Sequence, residues 1–520
     1  MFPATPLTPS RGAVMSSWFE TALPRLRRLL PGFPRVLRLP HLIGDGFAAL
    51  CAKVISQAAQ LSIFIVAAHV LAAAEFGFFA FASSLAIFVL VVAEGGWGEF
   101  VMKGGTEKTD LDQLATLSIL SGLIATLLGL CTAATMFMLG HGWSALLIAL
   151  FSSWYLPASL STVYDGILIS HGRLRGQSII RIAAEIIGLL VAIGGLSLGW
   201  NIVALIGGRL AQQLTILVAS MIMLRWLPHL RLHRSYAKQV LEFSRHIVAN
   251  RLVVFFRSYA GTLVVGSFLG LAEAGYYRAA ERIVAAFSEL IGEPARMLAW
   301  ILFGRVAGKD KGNVDRAAIG ATATTFMTVL MAISTPIYLG LALISAELID
   351  VVLGEKWAPA AILVAILAAK QTLLIPGYVT EPLLSLSGNI HRMPRAVMLN
   401  GAISVSLIIL LTPFGAVATA LGQCVAALFS FNISMRLQSR EGDLAWNRVL
   451  RDCGLVAIAV CAMAAAVFLF GRIAEASSLR QMSTIALQVV AGAAIYVAAL
   501  AILQRWSDAL RPLFAFGRHG

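Results

Sequence analysis

Charged residues are scarce in this sequence. Asp, Glu, Lys and Arg make up 13% of its 520 residues, and apolar residues make up 59%, whereas a soluble protein carries about 25% charge. Apolar stretches of the ~20 residues needed to cross a bilayer follow one another from about residue 46 to about residue 504. They leave no room for a sizeable soluble domain, so we predict an all-α polytopic membrane protein whose helices carry the function.

Cysteine clusters and common catalytic motifs are also missing. The cysteines lie in apolar runs without CxxC spacing, which excludes a metal cluster and indicates small core residues. There is no GxxxxGK[ST] loop for an ATP motor, and the short outer loops contain neither DxD nor paired His. We therefore expect no enzyme activity, cofactor, metal or nucleic-acid partner. The five cysteines are Cys51, Cys131, Cys424, Cys453 and Cys461.

The basic residues predict the topology. Splitting the apolar runs at their polar breaks gives fourteen candidate helices, and Lys and Arg concentrate on the cytoplasmic side of short loops. With a cytoplasmic N-terminus, 28 of the 40 Lys and Arg residues fall in cytoplasmic segments, nine fall within helices and three in outer loops. Both termini are therefore predicted to be cytoplasmic. The three outer exceptions are Lys356, Arg472 and Arg480.

Two sequence echoes predict an internal duplication. "AEFGFFAFAS" at 74–83 resembles "AEAGYYRAAE" at 272–281, at an offset of 198, and "DGILISHG" from Asp165 resembles "EPLLSLSG" from Glu381, at an offset of 216. An even number of helices separates the members of each pair, so the halves share an orientation. Parallel duplication of this kind places a substrate site between two lobes.

These observations predict six segments. The N-terminal segment, residues 1–44, lacks the apolar h-region of a signal peptide and is basic enough to lie on anionic headgroups. The segments are a basic amphipathic cytosolic tail (1–44), a six-helix N-lobe (45–224), a basic cytosolic linker (225–242), a six-helix C-lobe (243–436), two accessory helices (437–504) and a cytosolic tail (505–520).

Charged residues inside the helices predict the site. Each costs at least ~2.5–3.5 kcal/mol at the bilayer centre and so faces a cavity or a partner. Arg278, Arg282, Glu289, Glu293 and Arg296 fall within about 60° of one helix face. Because Arg binds phosphate oxygens in bidentate fashion, the surplus of positive charge predicts an anionic substrate. The predicted substrate-binding residues are Lys53, Gln57, Gln60, Arg251, Arg257, Arg278 and Arg282.

Other charged residues are interpreted as structural. Arg181 and Glu185 have the i,i+4 spacing of an internal ion pair, while Glu94 and Asp165 lie near the cytoplasmic ends of their helices. Pro376 predicts a kink in its helix.

The chain resembles a known transporter family at the repeated phrases. "VLAAAEFGFFAFASSLAIF" followed by "EGGWGEF", and later "LGLAEAGYYRAAERI", are similar to bacterial polysaccharide transporters of the Wzx type, in the multidrug/oligosaccharidyl-lipid/polysaccharide exporter superfamily. The resemblance covers about residues 45–440. The chain departs from the family at the end of the second helix, where Gly95, Gly96, Trp97 and Gly98 replace the usual Gly-Leu run.

The resemblance implies a function. It implies an inner-membrane flippase that moves a polyprenyl-pyrophosphate-linked oligosaccharide to the periplasmic leaflet by alternating access, for surface or exopolysaccharide synthesis. Membrane lipids, a polysaccharide polymerase and export machinery are the implied partners. Coupling to an ion gradient is also implied, and the carboxylates that fit this role are Glu281, Glu289, Glu293 and Glu381.

Three alternatives stay open. A lipid II flippase shares the pyrophosphate headgroup, and the sequence does not separate it from a polysaccharide flippase. A multidrug antiporter exports cations, which an arginine-rich cavity disfavours. A membrane enzyme acting on polyprenyl lipids is the least favoured, since the acidic outer loop "AELIDVVLGEKW" lacks a catalytic motif.

Overall fold

The computed structural model describes residues 40–104, 108–307, 316–476, 481–507 and 510. Within these residues the chain forms helices and no strand. It divides into two units, residues 1–51 and 52–520, and only the start of a helix is described in the first. Most of the predicted tails, 1–44 and 505–520, therefore lies outside the described residues.

The described residues form eighteen α-helices joined by short connections, with four 3-10 turns. The helices are α1 (Pro40–Val70), α2 (Ala73–Ala93), α3 (Trp97–Gly104), α4 (Lys108–Met138), α5 (Gly142–Ser152), α6 (Tyr155–Ser170), α7 (Leu174–Ser197), α8 (Ile202–Leu224), α9 (Arg234–Leu269), α10 (Leu271–Val306), α11 (Arg316–Leu343), α12 (Ser345–Leu353), α13 (Ala358–Leu374), α14 (Gly377–Leu386), α15 (Met393–Leu411), α16 (Ala416–Glu441), α17 (Trp446–Ala476) and α18 (Gln481–Leu503). The 3-10 turns are Glu355–Trp357, Ile390–Arg392, Thr412–Phe414 and Gln504–Trp506.

The helices have the lengths needed for a multi-pass membrane protein. In the described part of the chain, 13 helical stretches are long and apolar enough to cross a bilayer. α10 is not among them, because its 36 residues include eight charged ones, although its length also suffices. With α10, the stretches correspond to the fourteen predicted helices.

Consecutive spans run in opposite directions, since their connections are short, while α2 and α3, α5 and α6, and α13 and α14 each form one span. We call the end of the bundle that carries 171–173, 225–233 and 387–392 the basic end, and the opposite end, which carries 71–72 and Gly270, the far end.

The linker between the halves is shorter than predicted. α9 begins at Arg234, so the non-helical connection is 225–233, and residues 234–242 of the predicted linker lie in α9. Its backbone is held against α4: the N–H of His233, for example, donates to Gln113 Oε1 at 3.0 Å. Polar side chains of α4 therefore satisfy donors that a loose linker would leave to water.

Pro376 interrupts its span as predicted, because proline cannot donate the backbone hydrogen bond of a continuous helix. α13 ends at Leu374 and α14 begins at Gly377. Buried Gln438 donates to Pro376 O at 2.8 Å and to Thr380 Oγ1 at 2.8 Å. The break is thus stabilised by a neighbouring helix.

The repeated phrases meet at the far end of the bundle. A Cβ added to Gly77 would lie 1.7 Å from Leu271 O and 2.8 Å from Gly275 N, and one added to Gly275 would lie 2.1 Å from Ala73 O and 3.2 Å from Gly77 N. The offset of 198 that pairs Gly77 with Gly275 also pairs Ala73 with Leu271. The contact is therefore reciprocal, as across a twofold axis.

Apolar clusters join the two halves at both ends. At the far end, Phe64 and Phe76 of the first half share a buried cluster with Tyr277 and Trp357 of the second. At the basic end, the start of α9 packs into a cluster of the first half, where the ring of Phe243 lies 5.5 Å from that of Phe100.

Candidate functional site

A cavity of about 110 Å³ lies among α1, α2, α7, α8, α9 and α10. We call it the chamber. Its charged wall residues are Arg209, Arg278, Arg282 and Glu185, so three guanidinium groups face one carboxylate. The other wall residues are apolar or neutral, among them Gln60, Ser83 and Tyr259. A space of this size admits several water molecules, and its surplus of positive charge favours an anion.

The three chamber arginines differ in their partners. Arg278 Nη1 contacts Glu281 Oε2 at 3.2 Å, and its guanidinium lies 4.7 Å from the centre of the Tyr259 ring. Arg282 Nη2 donates to Gln60 Oε1 at 2.7 Å. Arg209 lies 5.8 Å from the centre of the Trp154 ring. Among the described residues neither Arg209 nor Arg282 has a carboxylate within ion-pair distance, so their charges are available to a ligand.

Glu185 is a buried wall residue of the chamber, and the predicted Arg181–Glu185 pair is wrong. Arg181 Nη2 instead contacts Asp165 Oδ2 at 2.8 Å. Glu185 Oε1 accepts hydrogen bonds from Ser56 Oγ at 2.5 Å and Gln60 Nε2 at 3.4 Å. The carboxylate faces α1 because that helix supplies donors, which the i,i+4 rule for isolated helices does not consider.

Polar pairs connect α1 to α10 along the seam between the halves. Lys53 Nζ lies 3.3 Å from Glu293 Oε1, and Glu293 also pairs with Arg296 of its own helix. Gln57 Nε2 donates to Glu289 Oε2. The residue number rises on α1 as it falls on α10, as expected for antiparallel helices. From the basic end, the pairs are Lys53–Glu293, Gln57–Glu289 and Gln60–Arg282.

Arg251 lies at the basic end and outside the chamber wall. Its Nη1 lies 2.9 Å from Glu94 Oε2 and its Nη2 lies 2.6 Å from Glu99 Oε1. Next to it, Ser244 Oγ donates to Gly95 O. We call these contacts of α9 with α2, α3 and their connection the basic-end seam. It joins the two halves by charge.

The other predicted site residues also lie outside the chamber wall. Arg257 is exposed. Glu281 accepts from Thr262 Oγ1 at 3.3 Å as well as from Arg278. Glu381 is partly buried in α14, and among the described residues its carboxylate has no hydrogen bond or ion pair. The structure therefore brings only Gln60, Arg278 and Arg282 of the eleven predicted residues into the chamber.

Five polar or aromatic wall residues able to contact a headgroup were not predicted as site residues: Ser83, Glu185, Arg209, Gln212 and Tyr259. Arg209 carried a usable signal, a charge inside an apolar helix followed by Gln212 and Gln213. Ser83 and Tyr259 carried none, because small polar and aromatic residues are common within membrane helices.

The geometry defines a class of protein: a multi-pass helical membrane protein whose halves enclose a cationic chamber. Its fold is that of solved transporters. A solved structure of the lipid II flippase MurJ in an inward closed conformation matches with a TM-score of 0.67 at 12% identity, over 89% of this chain and 99% of that one. An inward-facing multidrug resistance MATE family transporter of the MOP superfamily matches with a TM-score of 0.55 at 14% identity, over 74% and 95%.

The chain belongs to the family described as polysaccharide biosynthesis protein, whose model matches residues 66–362, more than half of the sequence. The succinoglycan biosynthesis transport protein ExoT of Rhizobium meliloti is 23% identical over 60% of this chain and 62% of its own length. The probable low-salt glycan biosynthesis flippase Agl15 of Haloferax volcanii is 23% identical over 39% of this chain and 41% of its own. The chain thus spans less than two thirds of each of these relatives.

Proposed function

We propose that this protein is a flippase that moves a polyprenyl-pyrophosphate-linked oligosaccharide from the cytoplasmic to the periplasmic leaflet of a bacterial inner membrane, for polysaccharide synthesis. The family and the names of ExoT and Agl15 support a role in glycan transport. The observation that carries the proposal is the chamber, in which Arg209, Arg278 and Arg282 face a single carboxylate.

The charge of the chamber suits the pyrophosphate of the carrier. Arginine offers paired donors to phosphate oxygens, and charges inside a bilayer are screened less than charges in water. Gln60 and Tyr259 offer hydrogen-bonding groups and an aromatic face to the first sugar. The polyprenyl chain would remain in the bilayer beside the helices.

Alternating access follows from contacts at the two ends. In the proposed orientation the basic end faces the cytoplasm, since basic residues stay there. The basic-end seam and the reciprocal glycine contact then close the chamber towards the cytoplasm and the periplasm respectively. Opening one while the other stays closed carries the headgroup across, with residues 45–224 and 243–436 as the two lobes.

Reconstituted transport tests the proposal. The protein is placed in proteoliposomes with a fluorescent polyprenyl-pyrophosphate oligosaccharide, and flipping is measured by enzymatic access to the glycan. We expect Arg209→Gln and Arg282→Gln each to slow flipping by about tenfold or more, because a hydrogen bond to a charged group contributes ~1.5–3 kcal/mol.

Arg395→Gln is the matched control, because Arg395 is exposed at the start of α15, outside the chamber. Unchanged flipping in both chamber variants would reject the site.

Lipid II and a cationic dye serve as alternative substrates. Flipping of lipid II alone would identify a lipid II flippase, the alternative favoured by the MurJ-like fold, and transport of the dye alone a multidrug antiporter.

Ion coupling is part of the proposal. The four candidates remain Glu281, Glu289, Glu293 and Glu381. Glu289 and Glu293 are the strongest candidates, because each accepts a contact from α1 across the interface between α1 and α10. A proton on either carboxylate would therefore change a contact between the halves.

A glutamine side chain keeps the shape of the carboxylate but cannot exchange a proton. Glu289→Gln and Glu293→Gln should therefore abolish the stimulation of flipping by a proton gradient while sparing the rate without a gradient. The comparison is made in proteoliposomes with and without an imposed pH difference. Full stimulation in both variants would remove these two residues from the coupling mechanism.

A further inference from the structure

Lys356 is one of only three basic residues in the outer loops predicted from the sequence, and the structure gives it a specific position. Its Nζ donates to His69 O at 2.8 Å and to Leu71 O at 3.0 Å. α1 ends at Val70. The last carbonyls of a helix lack partners within the helix and carry partial negative charge, so an ammonium group from the second half caps a helix of the first.

Trp357 makes the neighbouring contact. It is fully buried, and its indole N–H donates to Ala68 O at 2.9 Å. Its ring packs edge-on against Phe76 at 5.6 Å and Tyr276 at 5.9 Å between ring centres. Phe76 belongs to α2 and Tyr276 to α10, so the indole is wedged between the two halves.

These contacts adjoin the wall of the chamber. Ala67, the neighbour of Ala68, lines the chamber wall, and so does Phe76. The adjacent reciprocal contact of Gly77 with Gly275 closes the same end. The far end of the chamber is therefore bounded by α1 at the point where Lys356 and Trp357 hold that helix.

We propose that Lys356 and Trp357 form a latch that holds the far end of the chamber closed, and that releasing the end of α1 from this latch opens the exit. The proposal rests on the proposed function, which supplies the cargo. The two residues act as positioning residues, because they hold α1 and do not touch the chamber contents.

The latch has no equivalent in the other half. At the offset of 216 that pairs Asp165 with Glu381, the positions of Lys356 and Trp357 correspond to Gly140 and His141. Neither residue offers an ammonium or an indole donor. The latch is therefore one-sided, because donors of the second half bind carbonyls of the first.

Labelling of a chamber cysteine tests the latch without any cargo. Ser83 lines the chamber and is 7% exposed, so Ser83→Cys, in a background with the five native cysteines replaced by alanine, reports on access. Spheroplasts are treated with a membrane-impermeant maleimide. We expect slow labelling with the latch intact and several-fold faster labelling in Lys356→Met, because contacts found only in the closed form shift the population when they are removed.

Two further variants make the result specific. Trp357→Phe keeps a ring but removes the N–H donor, and should also speed labelling. Lys356→Arg keeps a charged donor and should remain slow. Arg472→Met is the matched control, because it removes another basic residue predicted to lie outside, one that is exposed near the end of α17.

Labelling of Lys356→Met at the rate of Arg472→Met would overturn the latch. So would an equal increase when the reagent is applied to inverted vesicles, since that indicates general loosening. A failure of the proposed function can be distinguished from a failure of the latch. The former appears as absent flipping by the unmodified protein, whereas the labelling experiment needs no cargo and its result is unaffected.

Discussion

At the residue scale, the far end depends on two glycines. Helix backbones approach closely only where side chains are small, and a Cβ added to either Gly77 or Gly275 would collide with backbone atoms of the opposite helix. The glutamate two residues before Gly77 has its own role: Glu75 Oε2 accepts from the N–H of Ala72 at 2.9 Å and caps the start of α2. The repeated phrase thus begins a helix and then brings it against its counterpart.

An alanine at either glycine should separate the halves at the far end. The added Cβ of Gly275→Ala would lie 2.1 Å from Ala73 O, and relieving such a clash costs about 1–3 kcal/mol. We expect a lower midpoint of thermal unfolding in detergent, measured by tryptophan fluorescence. Gly304→Ala is the control on the same helix, because its Cβ would meet nothing within 4 Å. Equal midpoints for the two variants would contradict the close contact.

At the element scale, the sequence predicted the spans and the polar face of α10, because hydropathy and helical periodicity are local properties. It did not predict which partner each charge would find. Glu185 faces Ser56 of α1, and Arg251 reaches two carboxylates of the first half, and both depend on distant segments. Arg257 was expected in the site for its depth in α9, but depth does not fix the direction in which a side chain points.

The contacts between α1 and α10 differ in how much they should contribute. Gln57→Leu removes the donor that reaches Glu289, and a partly buried carboxylate without a partner costs about 1–3 kcal/mol or more. Lys53→Met leaves Glu293 with Arg296, and exposed ion pairs contribute about 0–1 kcal/mol. Gln57→Leu should therefore lower the unfolding midpoint more than Lys53→Met in the same detergent. A larger decrease in Lys53→Met than in Gln57→Leu would show that charge, and not burial, stabilises the interface between α1 and α10.

At the scale of the whole molecule, the two ends are closed by different kinds of contact. Both ends contain an apolar cluster, but the basic end also has an arginine between two carboxylates, whereas the far end also has buried glycines, an indole and a lysine bonded to backbone oxygens. Charged contacts weaken with salt, and buried apolar contacts do not. The basic end is therefore expected to respond more strongly to ionic strength.

Covalent closure of the basic end should stop transport. Glu99→Cys combined with Arg251→Cys places two thiols across the basic-end seam, where a short bifunctional thiol reagent can bridge them. We expect flipping to cease after cross-linking and to return after reduction, measured against each single-cysteine variant treated with the same reagent. Continued flipping by the cross-linked protein would show that the halves need not part at this end.

The reciprocal glycine contact has a consequence for the origin of the chain. A surface that meets its own copy across a twofold axis is what a homodimer of six-helix subunits requires, so an unfused ancestor would have carried the same closure before its gene was duplicated and joined. Fusion then allowed the two copies to diverge. Lys356 and Trp357 occur in one half alone, and a symmetric homodimer would have carried such residues in both subunits.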